Sequence, residues 1–202
     1  MHRIALQVQK VIHSLQGDWI VPKNAYEKNL CKALDWQVFD NRYYDACNGE
    51  VYIEIKKGQS SMHFDLCRYA EILLGHGQAD TVTVFFRWNK ARKQITDAYI
   101  IDTKHLIEFL QINKAFALLY LRVKARVPRG VNILASATAK DLRELSTYIV
   151  QENGSIVSQN PHEKKNVTPQ RKKKVWTQQS IQTFLKEKRK SENKSSILYY
   201  LF

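Results

Sequence analysis

The sequence predicts a mixed α/β domain, in which a small mixed central sheet is flanked by helices and followed by a basic C-terminal extension. Three observations predict it. VYIEIK (51–56) alternates apolar and polar residues with the period of a strand, directly after an Asn48-Gly49 turn signal. TVTVFFRW (81–88) and TDAYIID (96–102) are rich in β-branched and aromatic residues and flank the polar turn NKARKQ. Ile4, Val8, Val11, Ile12 and Leu15 follow helical spacing.

Taken in order, the elements read as follows. After the first helix, Asn24 is expected to cap AYEKNLCKAL (25–34), with Glu27 completing a capping box. In the VYIEIK strand, Val51, Ile53 and Ile55 line one face, and Tyr52, Glu54 and Lys56 line the other. A helix is expected from Phe64 to Leu74, ending at Gly75. After the two β-rich runs, Thr103 is expected to cap KHLIEFLQI. Residues 116–127 leave helix and strand both open, and VNILAS reads as a short strand. Thr138 with Asp141 starts a helix over AKDLRELSTYIV. Helices on both sides of a few strands give the mixed layered class.

The bulk numbers narrow the function classes. With 202 residues and 44% hydrophobic residues, the chain can bury a core without cross-links. Cys31, Cys47 and Cys67 are far apart and lie in no zinc-ligand spacing, so neither a disulfide framework nor a zinc site is expected. No apolar run approaches a membrane span, and the first residues, MHRIALQVQKVIHSLQ, do not read as a secretion signal. The expected location is cytoplasmic and nucleoid-associated, or nuclear in a eukaryotic host.

The formal net charge of +13 and pI of about 9.6 point to a polyanionic partner, nucleic acid first. Residues 159–202 hold 11 Lys/Arg against 3 acids, and the preceding residues hold 21 against 16. The chain therefore divides into a body, 1–157, and a basic extension, 158–202, opening on the linker-like SQNPHEKKNVTPQRKKK.

The chemistry lies in YYDACNGEVYIEIKKGQ (43–59). Glu54 follows Asp45 by nine positions, and Lys56 stands beside Glu54 on the same strand face. The Asn-Gly turn can fold Asp45 across to Glu54. Phosphodiester hydrolysis needs an activated water and relief of charge on the transition state, and divalent metals supply both. Mg²⁺ uses few protein carboxylates, so Asp45 and Glu54, with the backbone carbonyl of Ile55, are a sufficient ligand set. Lys56 can orient or deprotonate the attacking water and offset phosphate charge. By spacing alone, a solvated charged strand face fits the same residues.

Residues 24–110 resemble the core of the PD-(D/E)xK nuclease superfamily. The resemblance rests on Glu27 in the preceding helix, Asp45, Glu54-Ile55-Lys56, the helix after them, and the TVTVFF and TDAYIID strands. Compact type II restriction endonucleases are the most similar members, through the Asp-Ala dipeptide before the turn. Archaeal Holliday-junction resolvases are also similar, through the helix glutamate and IIDTKHLIEFL. The chain departs from the pattern where Tyr44, not proline, precedes Asp45. The resemblance implies a restriction-endonuclease-like core and Mg²⁺, replaceable by Mn²⁺, at Asp45 and Glu54. It also implies Lys56 beside the nucleophilic water, an outer role for Glu27, and cleavage of double-stranded DNA by a homodimer. A junction-resolving or repair nuclease, or a non-catalytic DNA-binding protein, are the alternatives.

Other residues are candidates for contacts. Gln59 can touch a phosphate or water, or end the strand, and Lys57 is a DNA-binding candidate. Tyr43 and Tyr44 fit half-buried packing better than rim contacts. Arg122, Lys124 and Arg126 alternate with apolar residues, and with Arg129 they fit either a phosphate-binding strand or a charged edge strand. Arg171, Lys172, Lys173 and Lys174 form a basic cluster that can anchor phosphates or act as an import signal. Gln178, Ile181, Phe184 and Leu185 resemble a sliding-clamp docking box, with Leu185 where a second aromatic is expected; an amphipathic helix packed on the body is the plainer reading.

Overall fold

The computed structural model describes residues 1–21, 25–39, 41–77, 81–125 and 133–159. The chain opens with helix α1 (His2–Val11), whose Ile4, Ala5 and Val8 are buried as the 3.6-residue spacing requires. A short 3-10 turn then carries Ile12 inward. Helix α2 (Tyr26–Leu34) buries Leu30, Cys31 and Leu34. Strands β1 (Gln37–Val38), β2 (Ala46–Cys47), β3 (Tyr52–Gly58) and β4 (Ser61–Asp65) follow, and then helix α3 (Leu66–Leu73). Strands β5 (Thr81–Asn89) and β6 (Gln94–Asp102) form a long hairpin, followed by helices α4 (Thr103–Phe109) and α5 (Lys114–Lys124). Strand β7 (Leu134–Thr138), helix α6 (Ala139–Leu145) and strands β8 (Tyr148–Gln151) and β9 (Ile156–Ser158) complete the described chain.

Seven strands form one mixed sheet in the order β1-β2-β3-β5-β6-β8-β9. All its neighbours are antiparallel except β3 and β5, which run parallel with Glu54 opposite Thr83 and Lys56 opposite Phe85. Parallel neighbours need a crossover, and the segment containing β4 and α3 provides it. A second, two-stranded sheet pairs β4 with β7.

Each sheet face has its own core. On one, Ile53, Ile55, Val84, Phe86 and Ile100 pack with α1 and α2. On the other, Phe85, Tyr99 and Ile101 pack with Tyr69, Leu106, Ala117 and Leu142. Each fully buried Ile or Leu stabilises by about 1.5–3 kcal/mol. The strand period therefore holds Ile53 and Ile55 in the first core and turns Glu54 and Lys56 toward α3. Among the described residues, no helix is long and apolar enough to cross a membrane.

The mixed sheet with flanking helices agrees with the sequence reading; several boundaries do not. Helix α3 starts at Leu66, not Phe64, because the Asp65 side chain accepts the Cys67 N–H at 3.0 Å and ends a strand there. Helix α4 is capped by Asp102, whose carboxylate accepts the Lys104 N–H at 2.8 Å, and Thr103 is its first, buried residue. Helix α2 has Ala25 at its N-cap with no side-chain cap bond, and Asn24 lies outside the described residues. The Thr138–Asp141 capping box is present, but α6 stops at Leu145 and TYIV goes to β8. Around Arg122 and Lys124, where the sequence leaves helix and strand both open, the chain forms helix α5, started by Asn113 accepting the Phe116 N–H at 2.9 Å, so the alternating basic strand does not form there. Ala117 and Tyr120 are buried three residues apart, as a helix and not a strand requires.

Candidate active site

The site begins with a hairpin turn. Gly49 takes φ 91°, a left-handed conformation that glycine adopts without strain. The Asn48 side-chain oxygen accepts the N–H groups of Glu50 and Val51 at 3.1 and 3.0 Å. The turn brings β2 back on β3 with Ala46 opposite Ile53. Asp45, one residue before this pair, lies on the Glu54 face by the strand period. Its backbone N–H donates to Ile53 O at 2.9 Å, and its carboxylate Oδ2 accepts the Ile55 N–H at 2.7 Å. A strand residue sends its N–H and C=O to the same side, so the Ile55 carbonyl also faces the Asp45 edge.

Glu54 is 4% exposed. Its Oε1 pairs with two cations: Lys56 from the same strand and Arg68 from α3. Arg68 is 7% exposed, and its second terminal nitrogen donates to the Tyr43 carbonyl, two residues before Asp45. The same loop is tied to α3 again at Glu71, which pairs with Arg42 at 2.9 Å and accepts the Tyr43 hydroxyl at 3.0 Å. Asn41 tightens the loop by accepting the N–H groups of Tyr43 and Tyr44 at 2.8 and 3.0 Å. Tyr44 packs on Tyr52, ring centroids 4.2 Å apart, and both are half-buried.

No family model, no curated protein and no solved structure matches this chain.

The electrostatics follow from burial. Burial and the adjoining Glu54 carboxylate push Asp45 up to about 7, against weaker downward pulls from Lys56 and the Ile55 N–H. Burial works to lower the Lys56 ammonium, but the Glu54 and Asp45 carboxylates outweigh it and hold it above the ordinary lysine range. Lys56 is therefore charged at neutral pH, suited to orienting a water or offsetting phosphate charge and unsuited to removing a proton. Glu27 is half-buried at the start of α2, where it acts with Asp45 and Glu54 to raise the Tyr26 phenol, after burial itself. Burial, Asp45 and Glu27 push the Cys31 thiol up to about 12. Glu27 thus belongs to the electrostatic neighbourhood of the pair.

Among the described residues, no group of three or more His, Cys, Asp or Glu is placed to hold a metal ion. The candidate set is smaller: two carboxylates and one carbonyl, a donor count that Mg²⁺ completes with water. Among the described residues, Asp45 Oδ1 and Glu54 Oε2 have no bond to a backbone or basic group, and the two carboxyl groups are hydrogen-bonded to each other. Two adjoining carboxylates, Asp45 half-buried and Glu54 buried, with the proton affinity of Asp45 raised by burial and then by Glu54, fit a divalent cation, which relieves their repulsion.

The remaining candidates are scattered. Lys57 points away from Glu54, its ammonium 4.7 Å from the Tyr26 ring centroid and 5.2 Å from that of Trp88, donating to the Ile20 and Val21 carbonyls. Burial lowers its pKa. It is occupied inside the molecule and is not among the cations on the Glu54 face. Gln59 is exposed in the turn between β3 and β4. Arg122 is exposed on α5, and Lys124 ends that helix. Arg126, Arg129, the Arg171–Lys174 cluster and Gln178, Ile181, Phe184 and Leu185 lie outside the described residues.

Arg68 escaped the sequence reading. Its signal was a cation among Cys67, Tyr69, Ala70 and Ile72, all buried in α3, since an arginine in an apolar stripe is retained only with partners.

Proposed function

We propose that this chain is a Mg²⁺-dependent endonuclease acting on double-stranded DNA, with a restriction-endonuclease-like core, and that it is a sequence-specific enzyme of the type II kind. The observation that carries the proposal is the convergence of Asp45, Glu54 and Lys56 on one sheet face, with both carboxylates adjoining and Lys56 held charged beside them. A solvated strand face does not account for a glutamate that is 4% exposed. The order of elements supports it too: the Glu27 helix, the Asp45 and Glu54 strands, the α3 crossover, then a parallel strand.

In this reading Asp45, Glu54 and the Ile55 carbonyl hold Mg²⁺, or Mn²⁺ in its place. The ion, when bound, supplies charge stabilisation and an acidified water. Lys56 orients that water and offsets the charge growing on the phosphate. Ile53 and Ile55, packed in the first core, keep β3 rigid beneath the site. Symmetric cutting of both strands implies a homodimer.

Digestion of phage DNA with Mg²⁺, followed by sequencing of the ends, tests this. Discrete fragments with defined ends support restriction cleavage. Cutting confined to branched DNA supports a junction-resolving enzyme, and DNA binding with no metal-stimulated cutting leaves a non-catalytic binder.

A further inference from the structure

With Asp45 ionised, the formal charges gathered at the site sum to zero: Asp45 and Glu54 against Lys56 and Arg68, both of which meet Glu54 Oε1. Arg68 cannot shed its charge, since a guanidinium stays protonated in proteins. It cannot easily swing out either, being 7% exposed and held at its other nitrogen by the Tyr43 carbonyl. It also lies over the Tyr69 ring, 5.0 Å from the centroid, while its Nε has no hydrogen-bond partner among the described residues.

A divalent ion entering between Asp45 and Glu54 therefore meets a neutral site, not a doubly negative one, with two cations close by. DNA phosphate supplies the missing negative charge. We propose that Arg68 is a positioning residue that couples the two ligands: it keeps the acid pair balanced and poorly receptive to divalent cations until a DNA phosphate is present. This rests on the nuclease reading above and deepens it. A fixed positive charge close to an ion in a partly buried site opposes that ion's binding. A purely structural arginine predicts the reverse, since its removal loosens the Asp45 loop and weakens any ion site there.

The test is the binding of Mn²⁺, read from loss of the free-ion electron paramagnetic resonance signal. It compares the wild-type protein alone, the wild-type protein with a DNA duplex (duplex alone as the blank), and Arg68→Met alone. The expected result is weak binding to wild type alone and tightening of about tenfold or more with DNA, the usual range of coupling between two ligands. Arg68→Met alone is expected to bind about tenfold or more tightly than wild type, with Arg68→Lys, which keeps the charge, close to wild type. Binding to Arg68→Met no tighter than to wild type overturns the proposal, and so does equal wild-type affinity with and without DNA. If Arg68→Met does not fold, Arg68→Gln replaces it, with the same results expected and the same results overturning the proposal. Failure of the wild-type protein to bind Mn²⁺ under either condition overturns the nuclease reading itself.

Discussion

Asp45 Oδ2 accepts the backbone N–H of Ile55 at 2.7 Å, across the hairpin that Asn48 and Gly49 close. This bond fixes where one carboxylate stands relative to the other, and burial beside Glu54 raises Asp45 from 3.8 to about 7. The folded state therefore holds this proton more tightly than the unfolded chain. Its stabilising share is complete below pH 3.8 and is lost as the pH rises through about 7. Asn at this position stays neutral and can still accept the Ile55 N–H. Without divalent cations, Asp45→Asn is expected to be more stable than wild type above pH 7, by about 1 kcal/mol or more. The gap should close toward pH 4. Denaturant melts at several pH values check this.

In the proposed function Lys56 orients the attacking water. Lys56→Ala is expected to slow single-turnover DNA cleavage by about 10²–10³-fold, with duplex binding by fluorescence anisotropy within a few-fold of wild type. Lost binding together with lost cleavage would instead make Lys56 a phosphate anchor.

Lys57, its neighbour, should behave differently. Its ammonium lies over Tyr26 and Trp88 and caps the Ile20 and Val21 carbonyls. Lys57→Met is expected to cost about 1–2 kcal/mol of folding stability through the lost hydrogen bonds and ring contacts. The salt dependence of DNA binding should stay unchanged, because a residue that contacts no phosphate releases no counterion. A shallower salt slope would return Lys57 to the DNA interface.

Gly58 ends β3 where there is no room for a side chain. A Cβ there would come 2.8 Å from the Ser61 carbonyl oxygen and 3.1 Å from the Phe85 ring. Gly58→Ala is expected to destabilise by about 1–3 kcal/mol, read as a lower denaturation midpoint with an unchanged slope.

The geometry of the acid pair was legible because it depends on short-range rules. A strand period of two puts Glu54 and Lys56 together, and an Asn-Gly turn returns Asp45 to them. Arg68 was not legible, since its approach depends on α3 crossing back over the sheet to place β5 parallel to β3. The helix starts were misread by one or two residues where Asp65 and Asp102 cap in place of the expected residues. The basic alternation near Arg122 satisfied a strand period over a few residues, while the longer α5 run beginning at Asn113 obeyed a helical one.

If Asp45, Glu54 and Lys56 form a metal-dependent phosphodiesterase site, cleavage needs both the divalent ion and Glu54. Supercoiled plasmid incubated with the wild-type protein tests it most directly, with Mg²⁺ or with EDTA, alongside Glu54→Ala purified in the same way. Nicked and linear products are expected from wild type with Mg²⁺ alone, and none from the variant or with EDTA. Equal cleavage by Glu54→Ala would contradict it.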